Sequence, residues 1–371
     1  MTINFLKKPA YYFAALSLLS TFSGQLPAQK YSNEFLKIGV GAAGQGKGYA
    51  VASSMTGPQA AYWNPAGLVR SDHFSWELIA MHSEWFGGIG QYDYLGFSLP
   101  TRTEKQRLGM AIIRFGIDDI PNTLNLYNQD GTLNFDQLST FSASDYAFLF
   151  TISRQMGQTE SASPISWGLN AKVIHRRIGA FANAWGFGLD AGVQYHREPF
   201  QFGIMLRDIS TTFNIWQYRF SESEKAILGL TGNTIPTDRT EITAPQVIFG
   251  FSTLKRYEKL TVSPEFNLFI YSDGRRNTLL SGNRLAADPA LGVEIGFVSK
   301  VFLRGGANQF QWLSVPGDKR TISFRPAIGA GFKLNRFSLD YAFNDPGIGR
   351  GAYSHILSTQ LKWGVGKNKN L

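Results

Sequence analysis

Five histidines offer the first chemistry to consider. His73, His82, His175, His196 and His355 each carry an imidazole able to ligate a metal or move a proton near neutral pH. Their spacing gives them no common site, because none stands in an H-E-x-x-H run or a comparable cluster, and a solitary histidine at a strand end is ordinarily just a polar group. The acids are no more promising. Glu222 and Glu224 beside Lys225, and Asp118 with Asp119, fall in stretches that read as loops, where solvated charge is the plain expectation. No G-x-S-x-G elbow or phosphate-binding loop occurs, and the absence of cysteine removes disulfides and thiolate metal sites. Gly39-Val40-Gly41-Ala42-Ala43-Gly44 formally matches G-x-G-x-x-G. That fingerprint needs a strand before it, a helix after it and an acid about 20 residues on, and Ser53, Ser54, Met55 and Thr56 supply none. The expectation is a chain that is not an enzyme and uses no cofactor or metal.

The tripeptide Asn64-Pro65-Ala66 is a different kind of candidate. Pro65 fixes its own φ and pushes Asn64 out of the helical region. The Asn64 side chain can bond nearby backbone, and Gly67 can take a positive φ. Tyr62 and Trp63 bring large apolar bodies with one polar handle each. Together they predict a buried turn, the plain alternative being an Asx-Pro turn leading into the first strand. Gly39, Gly41, Gly44, Gly46 and Gly48 precede it and predict close backbone packing in a confined space.

From Ser71 onward the apolar period is two. Trp185, Phe187, Leu189, Ala191, Val193 and Tyr195 alternate with Gly186, Gly188, Asp190, Gly192, Gln194 and His196, and similar runs recur to Val365. Segments of about 10 alternating residues between turns predict an all-β transmembrane antiparallel barrel of about 14 strands. The strands start near Phe74, Gln91, Leu108, Asp145, Ile165, Trp185, Phe200, Pro245, Leu260, Ala290, Val301, Ile322, Phe337 and His355. A propeller would repeat a blade motif, and a multidomain sandwich would show linkers; neither is present. Long connections at Ile117 to Ser144, Ile209 to Ala244, Ser272 to Pro289 and Asn308 to Thr321 alternate with short ones such as Glu198-Pro199 and Asn335-Arg336. That asymmetry predicts external loops at one end and periplasmic turns at the other. It assigns the N-terminal segment and the C-terminal tail Gly366 to Leu371 to the periplasmic side. Lys172, Asp190, Gln194 and Arg325, with Lys333 and Asp340, fall on the faces assigned to the lumen. There they either line a water path or pair with an inserted N-terminal segment, and the glycines on those faces leave room for a plug.

Composition agrees. The 371 residues are 14% aromatic and 17% charged with 39 Gly, which suits a β-rich chain in an apolar setting. Net charge is +9, or +9 − 2 = +7 once Lys7 and Lys8 leave with a leader. The remaining basic residues are scattered, so nucleic acid is excluded as a partner and outer-membrane lipid and lipopolysaccharide are expected. Lys7-Lys8, the apolar run Tyr11 to Leu19 and Leu26-Pro27-Ala28 read as a cleavable signal peptide, the run being too short for a membrane helix. The division expected is a signal peptide over 1–28, an N-terminal hatch or plug over 29–70 and a transmembrane β-barrel over 71–371, in the outer membrane.

Phe35-Leu36-Lys37-Ile38-Gly39-Val40-Gly41-Ala42, then Gly48, then Ala60-Ala61-Tyr62-Trp63-Asn64-Pro65-Ala66-Gly67-Leu68 resembles the N-terminal signature of the PorV/PorQ family, within the wider FadL-like outer-membrane barrels. The resemblance covers Tyr31 to Arg70 specifically and the rest only in length and strand count. It implies a fourteen-stranded barrel whose N-terminal hatch plugs the lumen, with Asn64, Pro65 and Ala66 on the family's Asn-Pro-Ala motif. Ala43 stands where the family commonly has Arg, and Lys47 where it has Met. By resemblance the partners are the type IX secretion translocon barrel and the C-terminal signal domains of its cargo. The stretch Ile209 to Ala244, with Phe213, Trp216, Tyr218 and Phe220, is the candidate docking loop, or else folds back over the barrel mouth. The competing expectation is a FadL-like channel for a hydrophobic small-molecule ligand. A continuous apolar pocket beside the hatch favours the channel; a tightly filled polar lumen favours partner binding. Polar, glycine-rich faces tilt the sequence toward partner binding.

Overall fold

The computed structural model describes residues 32–364, apart from 72–74, 104, 125, 127–131, 158–163, 237–238, 316–318 and 346–352. The expected leader and the tail from Gly366 lie outside the described residues.

Alternation produces one closed antiparallel sheet of 14 strands. They are β1 (Trp76–Trp85), β2 (Gly90–Pro100), β3 (Gln106–Asn122), β4 (Ser139–Gln155), β5 (Ile165–Ile178), β6 (Ala182–Arg197), β7 (Phe200–Arg207, resuming as Thr212–Tyr218), β8 (Thr240–Thr243, resuming as Gln246–Thr253), β9 (Leu260–Tyr271), β10 (Ala286–Phe297), β11 (Val301–Val315), β12 (Lys319–Leu334), β13 (Phe337–Asn344) and β14 (Ser354–Trp363). Each pairs with the next, and β1 closes on β14 with Trp76 opposite Trp363 and Glu84 opposite His355. Closure leaves no unpaired sheet edge to face hydrocarbon. The two faces separate cleanly along β6, where Trp185, Phe187 and Leu189 are about half exposed while Asp190 and Gln194 are 3% and 0% exposed. Outward, Trp76, Phe97 and Trp363 pack as tilted rings across the β14–β1–β2 seam, as an interfacial aromatic girdle does.

Three of the expected long loops are shorter than the sequence suggests. β3 continues to Asn122 and β4 begins at Ser139, with a register shift between Ile117 and Ile120; β11 and β12 extend likewise past an irregularity between Asn308 and Gln311. The β3 extension carries Asp118, Asp119 and Asn122, whereas β11 and β12 keep Trp312, Leu313 and Ile322 exposed at 42%, 45% and 47%. The stretch from Ile209 to Ala244 is also partly strand. β7 resumes at Thr212, and only then comes a loop carrying α3 (Glu222–Leu230), whose N-terminus is closed by a reciprocal Ser221–Glu224 capping box.

The segment before β1 fills the barrel. It contains a short 3-10 turn (Glu34–Lys37), α1 (Ala42–Gly46), α2 (Ala60–Trp63) and a second 3-10 turn (Pro65–Arg70). Two glycines show why the run is glycine-rich. Gly41 takes φ +75° with Gln59 Oε1 where a Cβ would be, and Gly48 takes φ +61° against the Ala307 backbone. The segment runs the length of the lumen. Asn33 Nδ2 donates to Thr243 Oγ1 at 2.9 Å near the long-loop end, while Arg70 Nε donates to Ser166 Oγ at 2.9 Å near the short-turn end. This corrects the sequence reading: only its last residues lie at the short-turn end, and its beginning lies at the other.

The hydrophobic core is therefore in the lumen. Phe35, Val40, Trp63 and Leu68 of the segment pack against inward-facing Ile79, Ile113, Met205, Ile248 and Ile356 of the wall. Met81, Tyr94, Ile113, Ala147 and Ile174 are successive cross-strand partners on β1 to β5, and Met205, Ile248 and Phe269 are partners on β7 to β9. The polar, glycine-rich lumen expected from sequence is thus only part of the surface, because short strand stretches with both faces apolar do not register as alternation.

Close seating gives a first prediction. A Cβ on Gly168 would lie 2.3 Å from the Pro65 carbonyl carbon, so Gly168→Val is expected to unseat the segment, costing about 1–3 kcal/mol of docking, while the strands persist. Limited proteolysis should release the N-terminal segment faster than in the parent, with heat-modifiable electrophoretic mobility retained; equal release would show that the contact is not restrictive.

Candidate functional site

The Asn-Pro-Ala turn is the point where the segment is tied to the wall. Asn64 is extended (φ −163°), Pro65 opens the 3-10 turn behind it, and the Asn64 side chain accepts from Ala66 N at 3.2 Å. Its amide donates to Ala52 O within the segment at 2.9 Å and to Val193 O of β6 at 3.2 Å. The carboxamide is fully buried, so one side chain satisfies backbone groups from three places that water cannot reach. Gly192 makes this approach possible, since a Cβ there would fall 2.0 Å from Asn64 Oδ1. Pro65 and Ala66 lie against Gly168, and Ala66 O accepts from Ser153 Oγ of β4 at 3.2 Å.

Other wall side chains continue the pattern. Gln194 Nε2 donates to Ala52 O and Met55 O at 3.1 and 3.2 Å. Asn170 Nδ2 donates to Ala61 O at 2.5 Å, and Arg207 donates to Tyr62 O at 3.1 Å while stacking over the Tyr62 ring. Of the polar lumen residues named from sequence, Gln194 touches the hatch, whereas Lys172 and Asp190 pair with each other at 2.7 Å and share Asp208. Arg325 is half-buried, with Tyr49 of the segment and Asp345 and Asp288 of the wall in electrostatic reach. Asp340 pairs with Arg304, which also holds Glu294 at 2.6 Å. Lys333 is exposed.

The Lys172 cluster sits where the wall breaks. Between Arg207 and Thr212 the β7 ladder is interrupted, with φ of 57° at Asp208 and 60° at Thr211, values unusual for residues with a side chain and most of all for a β-branched one. Asp208 N is satisfied by Asp190 Oδ1 at 2.8 Å, and the Thr212 hydroxyl donates to Asp208 Oδ1 at 2.5 Å. The facing break in β8 falls at Ala244-Pro245, where Pro245 has no N–H to offer. A cavity of about 30 Å³ lies beside this break, lined in part by Asn33, Arg207, Asp208 and Gln246. It has room for about one water. A larger hollow, about 530 Å³, lies on the outer face between Phe251, Phe266, Leu291 and Val293 over Gly305 and Ala307, facing the membrane and not the lumen.

The aromatic candidates divide between the two faces of upper β7. Phe213 points outward, 39% exposed, and Trp216 inward, 4% exposed, with Arg176 over its ring at 5.1 Å. Trp216, Tyr218 and Phe220 stack in sequence, and Phe220 stacks on Phe181 of the neighbouring turn. A period of two within the supposed loop was the available signal that this stretch was strand. Sequence reasoning missed Glu265, Asn170, Arg207 and Asp208, whose roles depend on cross-strand register. At the short-turn end burial alone draws the Arg70 guanidinium down to about 10, leaving it a cation at neutral pH. Among the described residues no group of three or more acidic or imidazole side chains could hold a metal ion.

No protein-family model matches the chain, and no curated protein matches it. Among solved structures, the Ralstonia pickettii toluene transporter TbuX superposes with a TM-score of 0.51 at 12% identity, over 88% of this chain and 98% of that one. The Pseudomonas putida toluene transporter TodX gives 0.51 at 10% identity over 88% and 99%, and a Pseudomonas aeruginosa FadL homologue 0.49 at 11% over 88% and 98%. The likeness is one of fold, that of the FadL-like outer-membrane barrels. It agrees with the FadL-like part of the resemblance and is silent on the PorV/PorQ part.

Replacing Asn64 by Ala removes the side-chain partner of Val193 O and of Ala66 N and leaves Ala52 O to Gln194 alone. Each buried group left without a partner costs about 1–3 kcal/mol, so Asn64→Ala is expected to raise hydrogen exchange across Ala52 to Leu68 while leaving exchange in β9 to β14 unchanged. Protection equal to the parent over Ala52 to Leu68 would remove Asn64 as the tie.

Proposed function

We propose that the chain is an outer-membrane channel for small hydrophobic molecules, closed by its own N-terminal hatch. The observation that carries this reading is the apolar rows on the lumen wall under the hatch, Met81 to Ile174 and Met205 to Phe269. A water-filled pore has no use for them, whereas a hatch that shifts would uncover them as a greasy path. The toluene transporters that share the fold belong to the same functional class by their names, and the break in β7 and β8 supplies a stretch of wall already short of ladder hydrogen bonds. In the closed form the cavity beside the hatch holds about one water, so passage of even a small ring requires the hatch to move. Export by the cleavable leader and insertion among lipid and lipopolysaccharide belong to this proposal.

A second reading has its own support. The hatch sequence from Phe35 to Leu68 resembles the PorV/PorQ signature, and a lumen packed this fully suits a barrel that docks partners without transporting anything. On that reading the type IX translocon barrel or cargo signal domains bind at the mouth, where Tyr218, Phe220 and α3 lie.

Locking the hatch separates the two. A Cβ on Gly46 would stand 3.6 Å from Ala342 Cβ, inside the disulfide range of about 3.5–4.5 Å, with Gly329 Cα at 3.0 Å needing to yield by a few tenths of an ångström. The chain has no cysteine of its own, so Gly46→Cys/Ala342→Cys introduces one pair. Oxidised, it is expected to reduce uptake of radiolabelled toluene to the level of cells lacking the protein, with recovery on reduction; uptake unaffected by oxidation sinks the hatch-gated channel. For the second reading, affinity isolation from mild-detergent outer membranes should recover a very large barrel or exported proteins sharing a C-terminal domain. Trp216 is buried on the inner face, so the anchors to test are its neighbours: Tyr218→Ala/Phe220→Ala should lower that recovery several-fold, as loss of interface anchors does, and undiminished recovery would remove the mouth as the docking site.

A further inference from the structure

Beyond Asn33 the segment touches the wall along three stretches. α1 lies on β11 to β14, and the Pro65–Arg70 turn lies on β3 to β6. Between them the stretch Lys47 to Ser54 lies across β6 to β11, where Gln194 and Asn267 donate to Ala52 O and Tyr49 O, His196 meets Ser53 O and Ser252 meets the Ser53 hydroxyl, and it is held besides by one ion pair. Glu265 of β9 faces inward with its side chain fully buried, and its Oε2 pairs with Lys47 Nζ at 3.0 Å. Its Oε1 accepts from Ser53 N at 2.8 Å and from Ser53 Oγ at 2.7 Å. Ser54 Oγ donates to Oε2, and Lys47 Nζ reaches Ser54 Oγ at 3.2 Å. Elsewhere the backbone of the stretch is laid against glycines: Lys47 O against Gly292 and Gly306, and Ala52 O against Gly203.

We infer that Glu265 is the latch of the hatch and Lys47 its catch, the buried ion pair on which release of Lys47 to Ser54 depends. The physical basis is the dependence of an ion pair on its surroundings. Sealed from water, the pair attracts strongly and neither partner can leave alone without stranding the other as a buried, uncompensated charge. Once water reaches it, both ions are solvated and the attraction falls steeply. Such a contact favours fully closed or fully open and disfavours the intermediate. An apolar contact at the same place would instead stick at every stage of withdrawal. The inference rests on the reading that the hatch opens, and is indifferent to what passes.

The absence of native cysteine provides the test. Val51, 1% exposed, lies within the latched stretch, and Val51→Cys adds a lone thiol without enlarging the side chain. In the parent background a membrane-impermeant maleimide should label it slowly. Adding Glu265→Gln or Lys47→Met should raise the labelling rate at least about tenfold, since breaking a buried pair by removing one partner is strongly destabilising, and the swap Lys47→Glu/Glu265→Lys should bring it back down. Heat-modifiable mobility certifies the barrel in each case. If a single variant does not assemble, Lys47→Met/Glu265→Gln, which strands no charge, carries the test with the same expectation of faster labelling. Labelling at the parent rate in the assembled variants, or no return in the swap, overturns the latch. Faster labelling with toluene uptake unchanged from cells lacking the protein would keep the latch and remove the channel.

Discussion

The constraint on which the rest of the structure depends is hydrogen-bond satisfaction inside a wall that keeps water out. The barrel meets it for its own backbone by closing β1 on β14. The inserted segment cannot, because its short helices and turns leave donors and acceptors that no regular element completes. The wall completes them from its inner face: Asn170, Gln194 and Arg207 each bond a carbonyl of the segment, and Asn64 returns the arrangement by bonding a carbonyl of the wall. The lumen thus acts as the solvent of the hatch, with polar groups placed where the segment has unmet backbone and apolar groups elsewhere.

That division explains the distribution of charge. Three of the ion-pair sets are buried and closed, Lys172 with Asp190 and Asp208, Arg304 with Glu294 and Asp340, Lys47 with Glu265. The first two hold the wall to itself: one secures the break in β7 and the other ties β10, β11 and β13. Only the third joins segment to wall. A sealed interior tolerates ions in such compensated sets and penalises one left over, so the single set that bridges the moving boundary is a natural place for control.

The sequence made the strands legible because lipid on one side and a packed lumen on the other impose a period of two, and thirteen of the fourteen expected starts lie within five residues of an observed strand or strand piece. The fourth lies six residues inside β4. Asn64 was legible because Asn before Pro has few uses. The lumen was only half legible: Ile113 and Ile174 face inward, yet they stand beside outward-facing Ile112 and Val173 and read as one apolar run. Glu265 was invisible for a different reason. Its partner is 218 residues away, and which wall residue meets Lys47 depends on the stagger of every strand between them.

The path of the segment along the whole lumen also bears on how the molecule comes together. Ala42 N bonds Ser358 Oγ across 316 residues of chain, and Gln45 bonds Asn344 across 299. Contacts of such sequence separation form slowly and late, and these need strands β13 and β14 to exist before α1 has anywhere to dock. The first residues to enter the barrel are among the last to find their place. Every partly assembled barrel therefore passes through a stage in which the plug is made but its socket is not, and the apolar residues Phe35, Val40 and Trp63 must be kept from other company until the final strand arrives.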